Sequence, residues 1–124
     1  AGLFGTARAV ATVGIAWARG ELPEVSAATI ERFRQPSTVP GSSRRLGFDG
    51  PTAGGSTGDA LGAQAFGHLG FTGTSLWIDP DPTEPSVYVL LSNRVFPDRE
   101  HSAVGIRSLR QRFHRLAARP DRID

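Results

Sequence analysis

The stretch Phe66-Gly67-His68-Leu69-Gly70-Phe71-Thr72-Gly73-Thr74 is the most informative segment of this 124-residue sequence. It places three glycines around a single histidine, and the apolar run Ser75-Leu76-Trp77-Ile78 follows directly. Thr72-Gly73 suits a tight turn between two antiparallel strands. Because Gly70 has no side chain, a substrate can approach the backbone of the first strand closely there. The segment therefore predicts two paired strands with His68 beside a possible binding surface.

The sheet is predicted to extend beyond this pair of strands. Strand patterns at about 65–71, 74–79 and 86–92 are joined by short loops, which predicts an antiparallel three-strand meander. Residues 87–91 are apolar without alternation, which is typical of a strand buried on both faces. At the edge of a meander such a strand would be an aggregation hazard. We therefore expect another segment to pair with it.

Helices are predicted on either side of these strands. Thr6 can cap a helix that ends near Arg19 before Gly20, with Val10, Val13 and Trp17 on an apolar face and Gly14 as a weak point. Ser26 can cap a second helix that runs to about residue 35. A third helix is expected over about 102–118, with an inward stripe at Ile106, Leu109, Phe113 and Leu116.

The fold class is therefore α+β, with a helical segment (1–35), a Gly/Pro/Ser-rich loop (36–64), strands (65–92) and a C-terminal helix (101–119). We favour a loop that borders a binding cleft over a flexible connection.

The triplet His68-Leu69-Gly70 and the strand after it resemble the third active-site motif of serine β-lactamases, penicillin-binding proteins and their esterase relatives. In those hydrolases a Lys- or His-headed triplet ending in Gly opens the strand that lines the catalytic cleft. The run Ala1-Gly2-Leu3-Phe4 is similar to a segment that precedes a helix in the same proteins. The sequence most resembles the C-terminal part of a class C β-lactamase-related serine hydrolase, which implies a β-lactamase-like α+β fold.

The resemblance also implies roles for individual residues. His68 and the backbone N–H of Phe71, as half of an oxyanion hole, would be catalytic, and Gly70, Thr72 and Asn93 would bind substrate. Each assignment has a structural alternative. His68 can be hydrogen-bonded within the sheet, the Phe71 N–H can join the ladder, Thr72 can be a turn residue, and Asn93 can end a strand.

Three departures from the family pattern limit these roles. The chain contains no lysine, so Ser-x-x-Lys, which carries the nucleophile, is absent. The one tyrosine, Tyr88, precedes Val89-Leu90, so the Tyr-x-Asn motif is also missing. Leu69 replaces the usual Thr or Ser, which favours an esterase-like substrate over a penicillin-like one.

The sequence has no methionine, so we expect it to belong to a longer chain. Its main expected partner is then an N-terminal part of the same fold that carries the nucleophile and completes the sheet. The predicted function is the C-terminal part of an acyl-serine hydrolase that acts on small-molecule esters or amides and is inactive alone. The alternative is a non-catalytic β-lactamase-like remnant that serves as a binding or structural module.

Composition argues against several other functions. Without cysteine there is no disulfide or thiolate metal site, and His101 and His114 lack the spacing for a metal site, so no metal or cofactor is expected. All 14 basic residues are arginine, but acidic residues flank the C-terminal helix, which favours a solvated helix face over nucleic-acid binding. Gly54-Gly55-Ser56-Thr57-Gly58 matches Gly-x-Ser-x-Gly but lacks the required flanking strand and helix. No membrane span is predicted, and the compartment is left open.

Overall fold

A computed structural model describes residues 3–100 and 105–118, and these residues form three helices and one three-stranded antiparallel sheet of order β1-β2-β3. The sheet order and the α+β class confirm the predicted meander, and each strand lies within two residues of its expected bounds. In chain order the elements are α1 (Ala7–Arg19), α2 (Ala27–Arg34), β1 (Phe66–Leu69), β2 (Ser75–Asp79), β3 (Ser86–Leu90) and α3 (Ile106–Ala117).

Local capping sets the bounds of the first two helices as predicted. The Thr6 side chain accepts a hydrogen bond from the backbone N–H of Ala9 at 3.2 Å, which satisfies one of the free donors at the start of α1. Gly20 ends α1 in the left-handed conformation at φ +73°. Ser26 caps α2 in the same way as Thr6, through the N–H of Thr29 at 3.2 Å.

The sheet lies between two helices. Gly14 of α1 is buried against Val87 and Leu76, whereas Trp77 and Tyr88 pack their rings against His114 of α3. Since neighbouring strand residues point to opposite faces, α1 and α3 cover opposite faces of the sheet. This arrangement explains the non-alternating apolar run in β3. That strand is half-buried along its length and pairs with β2 alone among the described residues.

Gly14 is the point of closest approach between α1 and the sheet, which corrects its interpretation as a weak point of the helix. A Cβ atom at Gly14 would lie 2.5 Å from Val87 Cγ1 and 3.3 Å from Leu76 Cδ1. The helix can therefore reach this position only where a side chain is absent. The predicted apolar face is also wrong in part, because Val13 is mostly exposed.

Trp17 connects α1 to the main aromatic cluster. Its ring centroid lies 5.6 Å from Phe33, 5.1 Å from Phe48 and 6.5 Å from Phe66, in tilted or edge-on arrangements that aromatic pairs favour. Phe66 is fully buried. The cluster therefore joins both N-terminal helices, the long loop and β1.

The loop over residues 36–64 is held against the sheet rather than loosely attached. The buried guanidinium of Arg45 donates to the carbonyl oxygens of Arg34, of Ala63 at 3.1 Å and of Ala65 at 3.3 Å. Asp49 and Gly67 exchange backbone hydrogen bonds of 2.7 and 2.9 Å. The loop thus covers the outer edge of β1 at Gly67.

The buried face of α3 differs from the predicted stripe. Leu109 and Leu116 are half-exposed, while Arg110 is 6% exposed and His114 is 0% exposed. The polar residues are buried because the sheet offers carbonyl acceptors to Arg110 and aromatic rings to His114. The predicted helix residues 101–104 and 119 lie outside the described part of the chain.

Replacement of Gly14 by alanine should destabilise the fold although alanine favours helices. Overpacking costs about 1–3 kcal/mol, against about 1 kcal/mol of gained helix propensity. The balance is a loss of up to about 2 kcal/mol, so we expect the free energy of unfolding, measured by urea denaturation, to fall by about 1 kcal/mol. Adding Val87→Ala to Gly14→Ala should recover part of that loss.

The matched control is Thr12→Ala, an exposed position on the same helix, where a change within about 0.5 kcal/mol is expected. A Gly14→Ala variant more stable than the unmodified chain would show that Val87 and Leu76 do not limit the approach of α1.

His114 should make the fold sensitive to acid. Burial lowers its pKa to about 4, with the nearby Arg110 charge as the second cause, whereas an unfolded histidine titrates near 6.5. Between these values the unfolded chain binds a proton that the folded chain does not. The stability that the buried, neutral His114 contributes is therefore fully present above pH 6.5 and is lost as the pH falls towards 4. We expect a loss of about 2 kcal/mol in unfolding free energy from pH 7 to pH 4.5.

His114→Phe keeps an aromatic ring without a titrating group, so the pH dependence of its unfolding free energy should be flatter by that amount. His68→Gln removes an exposed histidine and serves as the control. If a folded His114→Phe variant kept the pH dependence of the unmodified chain's unfolding free energy, His114 would not be the group that causes the acid sensitivity.

Candidate functional site

The candidate site begins where β1 runs into its turn. The N–H of Gly70 donates to the carbonyl of Thr74 at 2.7 Å, and the N–H of Gly73 donates to the carbonyl of Gly70 at 3.1 Å. Gly73 has φ +100°, and a Cβ atom there would lie 2.4 Å from the Ser92 hydroxyl. The expected tight turn at residues 72–73 is therefore present, and it requires glycine at residue 73.

His68 lies on the α1 face of the sheet with an exposed side chain, opposite Leu76 in the strand register. Its Nδ1 is 3.0 Å from the carbonyl oxygen of Leu69. Since a carbonyl only accepts, Nδ1 carries the proton in this contact, which leaves Nε2 of the neutral ring as an acceptor. The ring is thus hydrogen-bonded locally, as in its structural alternative, but keeps one nitrogen for other contacts.

His68 borders a largely apolar groove of about 520 Å³ between the sheet and α1, which we call the His68 groove. Gly70 also lines it, so the structure brings these two predicted residues together. The loop over 36–64 contributes nothing to this lining and instead borders a separate cavity of about 240 Å³ near Leu69. The groove is lined by Leu3, Phe4, Gly5, Ala9, Val10, Val13, His68, Leu69, Gly70, Thr74, Ser75, Leu76 and Leu91.

Phe71 presents its backbone N–H on the outer side of the turn. The Gly70 carbonyl accepts from the Gly73 N–H on the inner side of the turn, and in the planar trans peptide group it points opposite to the Phe71 N–H. Within residues 3–100 and 105–118 it has no backbone acceptor. The alternative, in which the Phe71 N–H joins the hydrogen-bond ladder of the sheet, is therefore not seen in this part of the chain.

Arginine side chains surround the Phe71 ring. The ring is 59% exposed, and the Cζ atoms of Arg94 and Arg99 lie 4.7 and 4.9 Å from its centroid. These are cation–π distances, so the two guanidinium groups stabilise an aromatic ring that would otherwise be largely solvated.

Two arginines hold the carbonyl groups of the turn. Arg110 donates to the carbonyls of Gly70, Gly73 and Thr74 at 2.9–3.2 Å. Arg94 donates through Nε to the carbonyl of Phe71 at 2.5 Å and through its backbone N–H to that of Thr72 at 2.8 Å. Five consecutive carbonyls are therefore bound by one arginine or the other. Burial lowers the pKa of Arg110, and the Arg94 charge adds to the shift.

Thr72 and Asn93 lie apart from the His68 groove. Thr72 is exposed, and its carbonyl is the acceptor for Arg94. The Asn93 side chain accepts from the N–H of Val95 at 3.3 Å, which forms a local Asx turn. Their roles in substrate binding stay predictions.

A second groove, of about 630 Å³, follows the open edge of β3, and we call it the β3-edge groove. On this edge, the backbone groups that point away from β2 have no partner strand within residues 3–100 and 105–118, so another strand could pair with them. Its walls include small residues from α1 and the end of α3. The lining consists of Ala7, Arg8, Ala11, Ser86, Val87, Tyr88, Val89, Phe113 and Ala117.

Ser56 lies in a turn region, where Gln111 donates to the carbonyls of Gly54 and Gly55, so the strand–helix setting of a nucleophile elbow is not seen. His101 lies outside the described residues. Among those that are described, no group of three or more His, Asp or Glu side chains could hold a metal ion. None of the described helices has the length and apolarity needed to cross a bilayer.

Comparison with models of known protein families matches residues 1–111 to the family described as Beta-lactamase. The matched segment contains α1, α2, the whole sheet and the turn that carries Phe71. No curated protein and no solved structure matches the chain.

Proposed function

This chain belongs to the beta-lactamase family, and on that premise we propose that it forms one wall of an acyl-serine hydrolase site that cleaves esters or amides. The observation that carries the proposal is the outer-side N–H of Phe71, which directly follows Gly70, a residue that lines the His68 groove. The finer assignment to class C-related, esterase-like hydrolases is part of the proposal.

The Phe71 N–H would act as half of an oxyanion hole. When a serine oxygen attacks an ester carbonyl, negative charge develops on the carbonyl oxygen, and a fixed N–H donor stabilises it. The new bond joins the serine oxygen to the acyl carbon, the bond to the leaving alcohol breaks, and the proton of the serine hydroxyl passes to the alcohol oxygen. Water then releases the acid and restores the serine.

His68 would take part in proton transfer in this reaction. With Nδ1–H bonded to Leu69, its Nε2 can accept a proton or orient a reacting group beside Gly70. The absent side chain at Gly70 lets a substrate lie against the strand backbone. The apolar lining of the groove favours an acyl or alkyl group over a charged one.

We further propose that the nucleophile comes from a segment N-terminal to this chain in the same fold. The β3-edge groove supports this, since its exposed strand edge and small alanine walls leave room for an added strand between α1 and α3. Pairing there would also protect an apolar edge that invites aggregation.

The first test compares residues 1–124 with a protein translated in frame from the upstream coding sequence. We expect the longer protein to hydrolyse a chromogenic short-chain ester and the 124-residue chain to give no turnover. Labelling with a fluorophosphonate should mark a serine outside residues 1–124. Acylation of a serine within this chain, Ser56 included, would contradict the proposal.

His68→Ala in the longer protein should lower kcat by about a hundredfold or more, because a positioned acid–base group contributes about 10²–10⁴ in rate. Ser56→Ala, in the Gly-x-Ser-x-Gly match, is the control and should leave kcat unchanged. A longer protein with no turnover and no labelled serine would favour the non-catalytic binding or structural module.

A further inference from the structure

Arg110 is buried behind the turn, although an exposed arginine would be the usual case in a surface helix. It is 6% exposed, and within the described residues no carboxylate lies within 4 Å of its guanidinium. A buried cation without an anionic partner is costly unless its donors are satisfied. Its Nη2 donates to Gly70 at 3.0 Å and Thr74 at 2.9 Å, and its Nε donates to Gly73 at 3.2 Å. These three hydrogen bonds of its guanidinium all go to the turn.

One of these bonds fixes the direction of the proposed oxyanion donor. The Gly70 carbonyl and the Phe71 N–H belong to the same peptide group, which is planar and trans. In such a group the C=O and N–H point in opposite directions. Because Arg110 and the Gly73 N–H hold the Gly70 carbonyl on the inner side, the Phe71 N–H must point to the outer side.

We propose that Arg110 is a positioning residue that aims and polarises the Phe71 N–H through the Gly70–Phe71 peptide group. The catalytic part of this inference rests on the proposed acyl-serine function. A charged donor on the carbonyl draws electron density from the peptide nitrogen, so the N–H becomes a stronger donor. Arg110 does not touch the substrate, and it acts from the opposite side of the peptide.

Arginine suits this role better than lysine. A guanidinium carries five donors in a rigid plane and can serve three carbonyls at once, whereas lysine is a flexible point charge. Arg110→Lys should therefore keep the charge and most of the packing but hold the peptide less firmly. Arg110→Gln should lose the charge as well.

The test observes this peptide group directly. The 124-residue chain contains two Gly-Phe pairs, Gly47-Phe48 and Gly70-Phe71. Labelling with carbonyl-¹³C glycine and ¹⁵N phenylalanine therefore gives two coupled peptide signals by NMR. The Phe48 ring packs against Trp17 and Phe66, so the Gly47–Phe48 signal reports whether the aromatic cluster of the fold is intact.

In Arg110→Gln we expect the Gly70 carbonyl and Phe71 nitrogen resonances to move while the Gly47–Phe48 signal stays in place. Arg110→Lys should give an intermediate shift, and it decides the question if Arg110→Gln fails to fold. Arg107→Gln, at an exposed position one turn earlier, is the matched control and should move neither signal. An unmoved Gly70–Phe71 signal in a folded Arg110 variant would overturn the proposal.

Kinetics of the longer, nucleophile-bearing protein test the catalytic part. Loss of an entire oxyanion donor costs about 10²–10³ in kcat, so a poorly aimed donor should cost about tenfold or more. We expect Arg110→Gln to lower kcat at unchanged KM, with partial recovery in Arg110→Lys. A shifted peptide signal with unmodified kcat would overturn the positioning role. If the unmodified longer protein transfers no acyl group, the proposed function is wrong, and the peptide signals alone decide whether Arg110 sets the peptide.

Discussion

The hydrogen bonds from the buried Arg110 guanidinium to the turn after β1 are the contact on which the candidate site depends. They place a helix, a strand end and a tight turn in one fixed arrangement. Arg94 donates to the carbonyls of Phe71 and Thr72, so the turn is held without a carboxylate partner among the described residues. The orientation of the Phe71 N–H, and hence any use of it as a donor, follows from this arrangement.

The parts of the fold that depend on local sequence could be predicted. Thr6 and Ser26 cap helices through bonds to residues three positions away, and Gly20 ends a helix by its own backbone conformation. Predictions that needed a partner surface were less successful. Gly14 was interpreted by helix propensity alone, whereas its role is set by Val87, which is more than seventy positions away.

The residues of the candidate site show the same difference between features set by local sequence and features set by distant parts of the chain. His68, Gly70 and Phe71 could be singled out because they lie within four consecutive residues of one short motif. Arg110 and His114 give no such signal, since periodicity assigns the buried face of α3 to Ile106, Leu109, Phe113 and Leu116. Their burial depends on turn carbonyls and aromatic rings supplied by the sheet. Helical periodicity records hydrophobicity and cannot show which polar groups a distant turn will satisfy.

The coverage of β3 has a consequence for any strand that completes the sheet. Because α1 and α3 rise on opposite faces and both border the β3-edge groove, an incoming strand would have a helix above it and another below. The groove lining includes Ala7, Ala11 and Ala117, whose small side chains leave space for large ones. A completing strand should therefore be recognised by a continuous run of bulky apolar residues, and a strand of alternating polarity would bury polar groups against one of the helices.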